Sequence, residues 1–166
     1  MILLISNGVD GARTTKFALA QTGTALKTML QIKGLVPLKV IEWGISFPAS
    51  AAAVPPMVEL ITTGTVFATV TTLAEADVTK FGAAADLAAD ILTFGTTATG
   101  FTATGEGSVT VTKLLDGAAQ IPPTAYFSKQ FPLDQEPVIY KGDAGRIRVH
   151  SGTDYAISCW MKVKPA

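Results

Sequence analysis

The stretch from Leu38 to Phe47, Leu-Lys-Val-Ile-Glu-Trp-Gly-Ile-Ser-Phe, constrains this chain more than any other. Strand geometry sends successive side chains to opposite faces, so Ile41, Trp43, Ile45 and Phe47 share one face and Val40, Glu42, Gly44 and Ser46 the other. Burying large apolar side chains is worth about 1.5–3 kcal/mol each, which makes this strand the expected centre of a packed sheet. A chain of 166 residues is the size of one domain and can fold without covalent staples. We read residues 15–166 as a single β-sandwich domain, preceded by an amino-terminal strand or arm over residues 1–14.

The β pattern recurs along most of the chain. Thr15 to Gln21 and Thr24 to Lys33 alternate loosely around Phe17, Leu19, Leu26, Leu30 and Ile32. Met57 to Thr63 and Thr65 to Thr71 read as a hairpin broken at Gly64. Val109 to Leu115, Ala125 to Phe131 and Val138 to Lys141 continue the pattern. Near the carboxy terminus, Glu136 to Lys141, Arg146 to His150 and Tyr155 to Val163 read as a three-stranded meander, because Gly-Asp-Ala-Gly and Ser-Gly-Thr-Asp are turn compositions. In that meander Ile147 and Val149 oppose Arg146, Arg148 and His150, while Ile157, Cys159, Met161 and Val163 oppose Ser158, Trp160, Lys162 and Lys164. Thr72 to Leu92 is the helical candidate, but Gly82 interrupts it and the Ala-rich sequence offers little to bury, so one or two short helical turns in a long loop are expected. The total is about nine or ten strands with at most one minor helix, which leaves little room for an α/β fold and favours an all-β sandwich of jelly-roll-like type.

The residues give little purchase for catalysis. His150 is the only histidine, beside Arg148 on a polar strand face, and reads as a surface or subunit-contact residue. Cys159, the single cysteine, lies on an apolar strand face where a thiol behaves as a buried hydrophobe. Glu42 and Glu59 would make the acid pair of a glycosidase only if they faced one another across a cleft, and pairing with Arg146 or Arg148 is the simpler reading. The aspartates Asp86, Asp90, Asp116, Asp134, Asp143 and Asp154 are scattered, unlike a calcium loop. Thr93 to Ser108 is rich in Gly, Thr and Ala but ends in no Gly-Lys-Ser/Thr, so it is not a phosphate loop. We expect no catalytic residue, no cofactor and no metal.

Thirteen basic residues balance thirteen acidic ones, and no basic run interleaved with aromatics tracks a phosphate backbone, so nucleic acid is not an expected partner. The longest apolar stretches, Met1 to Ile5 and Ala49 to Pro56, are too short or too broken to span a bilayer, and the amino terminus lacks the basic region of a secretion signal. Charged residues make up only 16% of the chain, which suits a surface that packs against neighbours.

Three parts of the chain together carry a family resemblance: Lys39-Val-Ile-Glu-Trp-Gly-Ile-Ser-Phe47, Val58-Glu-Leu60, and Glu136-Pro-Val-Ile-Tyr-Lys-Gly142 followed by Gly145-Arg-Ile-Arg-Val149. In this order they resemble small virion proteins of tailed phages of actinobacteria, of the minor capsid or head-decoration (cement) type. The resemblance implies a structural protein, not an enzyme, made in the host cytoplasm and bound to the capsid exterior, with the major capsid protein as partner and a homotrimer as the assembly. It leads to the expectation that subunits meet at a three-fold axis through apolar strand faces. The arm, with Met1, Ile2, Leu3, Leu4, Ile5 and Arg13 as its interaction residues, would clamp a neighbour. The alternative is a tail fibre or baseplate module that binds host-surface carbohydrate, with Trp160 and Tyr155 as sugar-stacking platforms.

Overall fold

The computed structural model describes residues 1–7, 20–47, 54–82, 88–107 and 110–166. Its strands are β1 (Ile2–Ser6), β2 (Ala20–Gln21), β3 (Lys27–Lys33), β4 (Leu38–Ser46), β5 (Met57–Thr62), β6 (Thr69–Thr72) and β7 (Thr79–Phe81). They are followed by β8 (Gly100–Gly105), β9 (Lys113–Gln120), β10 (Tyr126–Gln130), β11 (Val138–Ile139), β12 (Ala144–His150) and β13 (Ala156–Pro165). They form two antiparallel sheets. The first has the order β10-β4-β13-β1-β7, with β11 also on β4 and β2 on β13; the second has the order β6-β8-β3-β12-β5-β9. The fold is an all-β sandwich, and its only helical pieces among the described residues are single 3-10 turns at Glu75–Asp77 and Ala88–Asp90.

The core lies between the inner faces of the two sheets. The first sheet contributes Leu3, Ile5, Leu38, Val40, Trp43, Ile45, Ile157, Cys159, Met161 and Val163, all without exposed surface, and the second contributes Leu30, Ile32, Val58, Leu60, Ile147 and Val149. Phe47 lies just beyond β4 and is buried against Tyr155, with the rings edge to face at a centroid distance of 5.9 Å. One polar link closes the sandwich where β9 and β10 border it: Trp43 Nε1 donates to Asp116 Oδ2 at 2.8 Å, and Asp116 also pairs with Lys129.

Ile41 is a correction. It is half-buried, whereas Val40, expected on the opposite face, is fully buried. The cause is a β-bulge: Lys162 pairs with Glu42 but the next residue, Val163, pairs with Val40, so Ile41 is the extra residue on β4. Alternation therefore changes phase there, placing Leu38 and Val40 on the same face as Trp43 and Ile45. The Ile41 carbonyl oxygen accepts a hydrogen bond from the Phe131 N–H at 2.9 Å.

The strand pairings also differ from the hairpins read in the sequence. β5 and β6 lie in one sheet but do not touch, being separated by β8, β3 and β12. β11, β12 and β13 are not a meander, since β11 pairs with β4, β12 with β3 and β5, and β13 with β1, β2 and β4. Their connecting turns cross from one sheet to the other. The Gly-rich stretch at 93–108 contains β8, and the helical candidate contains β7. Gly100 of β8 has no room for a side chain: a Cβ there would lie 2.4 Å from the Thr71 carbonyl oxygen.

The amino terminus is a strand of its own sheet. β1 is hydrogen-bonded on one edge to β13 and on the other to β7, and Leu3 and Ile5 are fully buried. β7 covers its edge of β1 over Ile2, Leu3 and Leu4, while β13 covers the other edge from Leu3 to Ser6; Arg13 lies outside the described residues. The inner apolar faces of the two sheets pack against each other inside the chain, while Ile2, Met57, Phe81 and Leu114 remain exposed on strands.

Candidate functional site

The outer face of the first sheet carries the most organised group of exposed side chains. Antiparallel register sets them in rows. In one row Ser6 of β1 lies opposite Trp160 of β13, which lies opposite Gly44 of β4, which lies opposite Ser128 of β10. In the next, Leu4, Lys162, Glu42 and Gln130 follow one another across the same strands. A third row places Ser158 and Tyr126 on either side of Ser46.

Gly44 decides how the first row packs. With no side chain there, the indole of Trp160 lies flat on the sheet, so close that a Cβ on Gly44 would be 2.1 Å from Trp160 Cζ2. A glycine inside a strand commonly marks such an approach by a neighbouring ring. Tyr126 stacks on the indole, with centroids 5.3 Å apart and planes 26° from parallel, and remains 66% exposed. Trp160 Nε1 donates to Glu42 Oε1 at 3.2 Å, Ser128 Oγ donates to the same oxygen at 3.4 Å, and Lys162 Nζ reaches Glu42 Oε2 at 2.7 Å. Partial burial works against the charged form of Glu42, but the bonds from Lys162, Trp160 and Ser128, together with the Lys162 charge, outweigh it and hold the carboxyl below its ordinary pKa. These side chains surround an open hollow of about 280 Å³, floored by the aromatic pair and walled by the Glu42–Lys162 pair, Ser6, Ser158 and Leu4.

The other residues singled out in the sequence are dispersed. Glu42 and Glu59 belong to different sheets, so they do not form an acid pair across one cleft. Glu59 sits opposite Arg148 on the neighbouring strand and accepts from its Nε at 2.7 Å, while Glu42 pairs with Lys162 rather than with an arginine. His150 ends β12 and is exposed, opposite Met57. Cys159 is fully buried, and burial pushes its thiol pKa far up. Tyr155 is a correction: it is buried beside Phe47 and its hydroxyl donates to the Val54 carbonyl oxygen at 2.7 Å, so it offers no ring face to a ligand. Among the described residues no group of three His, Cys, Asp or Glu side chains is placed to hold a metal ion, and no helix is long and apolar enough to cross a membrane.

Arg146 and Arg148 are buried, although the sequence places them on a half-exposed face. Arg146 donates from Nη2 to the Val66 carbonyl oxygen at 2.5 Å and from Nη1 to the Glu106 carbonyl oxygen at 3.1 Å. The turns at Val66 and Glu106 thus lie over this face of the second sheet. Glu106 is further fixed by Thr28, whose N–H and hydroxyl each reach its carboxylate at 2.6 Å. Sequence reasoning identified Trp160 but missed Tyr126 and Ser128, which reach the site only because β10 pairs with β4. The available signal was Gly44 itself, an interior strand glycine flanked by large residues.

No family model, curated protein or solved structure matches this chain.

Proposed function

We propose that this chain is a structural virion protein that binds the outer surface of a phage capsid and reinforces the shell, assembling as a trimer after synthesis in the host cytoplasm. The observation that carries the reading is where the segments of the resemblance lie. Lys39 to Phe47 includes most of β4, Val58 to Leu60 lies in β5, Glu136 to Gly142 contains β11 and Gly145 to Val149 lies in β12. Far apart in sequence, they pair directly in the fold. Val138 lies opposite Lys39 and Arg148 opposite Glu59, and ion pairs join Lys39 to Glu136 at 4.0 Å and Arg148 to Glu59. The segments of the resemblance are thus paired parts of one scaffold.

With Leu3 and Ile5 of β1 and the inner sheet faces committed to the core, we place the contacts of a shell clamp on turns and outer surfaces. The turns at 34–37 and 140–143 meet at one end of the sandwich, where the Gly142 N–H donates to the Gly34 carbonyl oxygen at 3.2 Å, and they expose Leu35 and Tyr140. We assign the shell contact to this end. The test is the number of copies of this chain per major capsid subunit in purified virions, by quantitative mass spectrometry. A shell-wide clamp requires a ratio near one or a simple fraction of one; a few copies per hundred, or none, sinks the reading. The hollow beside Trp160 and Tyr126 favours a second reading, a carbohydrate-binding tail module, which the low ratio would support.

A further inference from the structure

We infer that the hollow on the outer face of the first sheet is a binding site for a neutral pyranose sugar, with the exposed ring of Tyr126, backed by Trp160, as its platform and the Glu42–Lys162 pair as its polar wall. The inference holds whether the protein sits on a head or a tail, so its test is independent of the copy-number measurement.

The platform is flat and held in place before any ligand arrives. Trp160 is fixed from below by Gly44, at its Nε1 by Glu42 and on its face by Tyr126, while Tyr126 keeps most of its surface open to solvent. Such pre-organisation removes the cost of ordering side chains on binding. The face of an aromatic ring is electron-rich, and the C–H bonds on one side of a pyranose ring present a matching positive edge.

The wall sets the ligand's polarity. An ionised carboxylate offers roughly four acceptor sites. Trp160, Ser128 and Lys162 occupy three of those on Glu42, which leaves one for a ligand hydroxyl. Lys162 directs one of its three N–H bonds to Glu42 and can direct another to a sugar oxygen. Ser6 and Ser158 add hydroxyls that can both donate and accept. Among the described residues the only charged groups lining the hollow are Glu42 and Lys162, which cancel, so neither an anion nor a cation is recruited by their net charge. Among the described residues Leu4 is the only aliphatic side chain there, too little for an apolar peptide anchor. A volume of about 280 Å³ suits one or two sugar rings rather than a long chain.

The test titrates the purified full-length chain with the methyl glycosides of glucose, galactose, mannose and N-acetylglucosamine up to about 50 mM, a range that captures millimolar affinities. Intrinsic tryptophan fluorescence and saturation-transfer NMR follow binding, with glucuronate and glucosamine as charged comparators. The expected result is saturable binding of at least one neutral pyranoside, weakened at least about tenfold by Tyr126→Ala. Tyr126 is the chosen position because it is 66% exposed and its removal opens no core. Lys162→Met, a second variant, should weaken binding without abolishing the stacking contact. The inference is overturned if no neutral pyranoside binds, if only the charged sugars bind, or if binding survives Tyr126→Ala unchanged. It is also overturned if Tyr126→Ala converts an oligomer into monomers in sedimentation, since the face would then be a subunit contact.

Discussion

Replacing Gly44 by alanine places a methyl carbon 2.1 Å from Trp160 Cζ2, 2.6 Å from its Cε2 and 2.7 Å from the Phe127 carbonyl oxygen. Carbon atoms pack at about 3.5–4 Å, so the indole must lift by roughly 1.5 Å. That movement takes Nε1 out of reach of Glu42, now at 3.2 Å, and opens the stack with Tyr126. A hydrogen bond to a charged acceptor contributes about 1.5–3 kcal/mol, less where solvent competes. The aromatic pair contributes about 0.5–1.5 kcal/mol. Alanine offsets part of this, since glycine in a strand costs about 0.5–1 kcal/mol in chain entropy. The net expectation is a loss of about 2 kcal/mol, with the Phe127 carbonyl adding to it as β10 is pushed from β4. Urea denaturation should show a lower midpoint at an unchanged slope, since core and fold are retained. In a Trp160→Ala background the same substitution should cost clearly less, because the ring it strikes is gone. A Gly44→Ala variant within about 0.5 kcal/mol of the parent would refute the packing argument.

Three further expectations concern the core and the ion pairs. Arg148→Ala should cost about 3–5 kcal/mol by thermal or urea unfolding, because it leaves Glu59 without its partner in a largely covered site; a loss under about 1 kcal/mol would mean that solvent reaches the pair. Cys159 should resist thiol reagents in the native protein at neutral pH and react as urea unfolds it, since burial disfavours the thiolate; stoichiometric labelling of the folded chain would contradict this. Hydrogen bonding to Lys164 is the leading cause that holds Glu136 below the ordinary carboxylate value of 4.5, and Glu42 is lowered as well. Folded pKa values below unfolded ones mean that the unfolded chain binds protons more readily as the medium turns acidic. The stability these groups supply is therefore present above about pH 4.5 and lost as pH falls through their folded values. Glu136→Gln should flatten that acid limb in urea titrations between about pH 3 and 6, and an unchanged limb would remove Glu136 from the account.

What the sequence determined by itself is the class of fold and much of the inward face. Alternation follows from the geometry of a single strand, so Trp43 and Ile45 on β4, Ile147 and Val149 on β12, and Ile157, Cys159 and Met161 on β13 are legible without knowing their neighbours. The short helical turns are legible too, because Ala-rich sequence interrupted by Gly82 has too little apolar surface to hold a longer helix. Only the tertiary structure decided the rest. Which strands pair is a long-range matter, and a turn such as Gly-Asp-Ala-Gly has the same composition whether it closes a hairpin or carries the chain to the opposite sheet. The phase change at Ile41 arises because β13 skips a residue of β4, and nothing local to β4 announces it. The burial of Arg146 depends on distant turns at Val66 and Glu106 folding over it. The candidate site has the same origin: Ser6, Glu42, Tyr126 and Trp160 come from four strands, and register alone brings them to one surface.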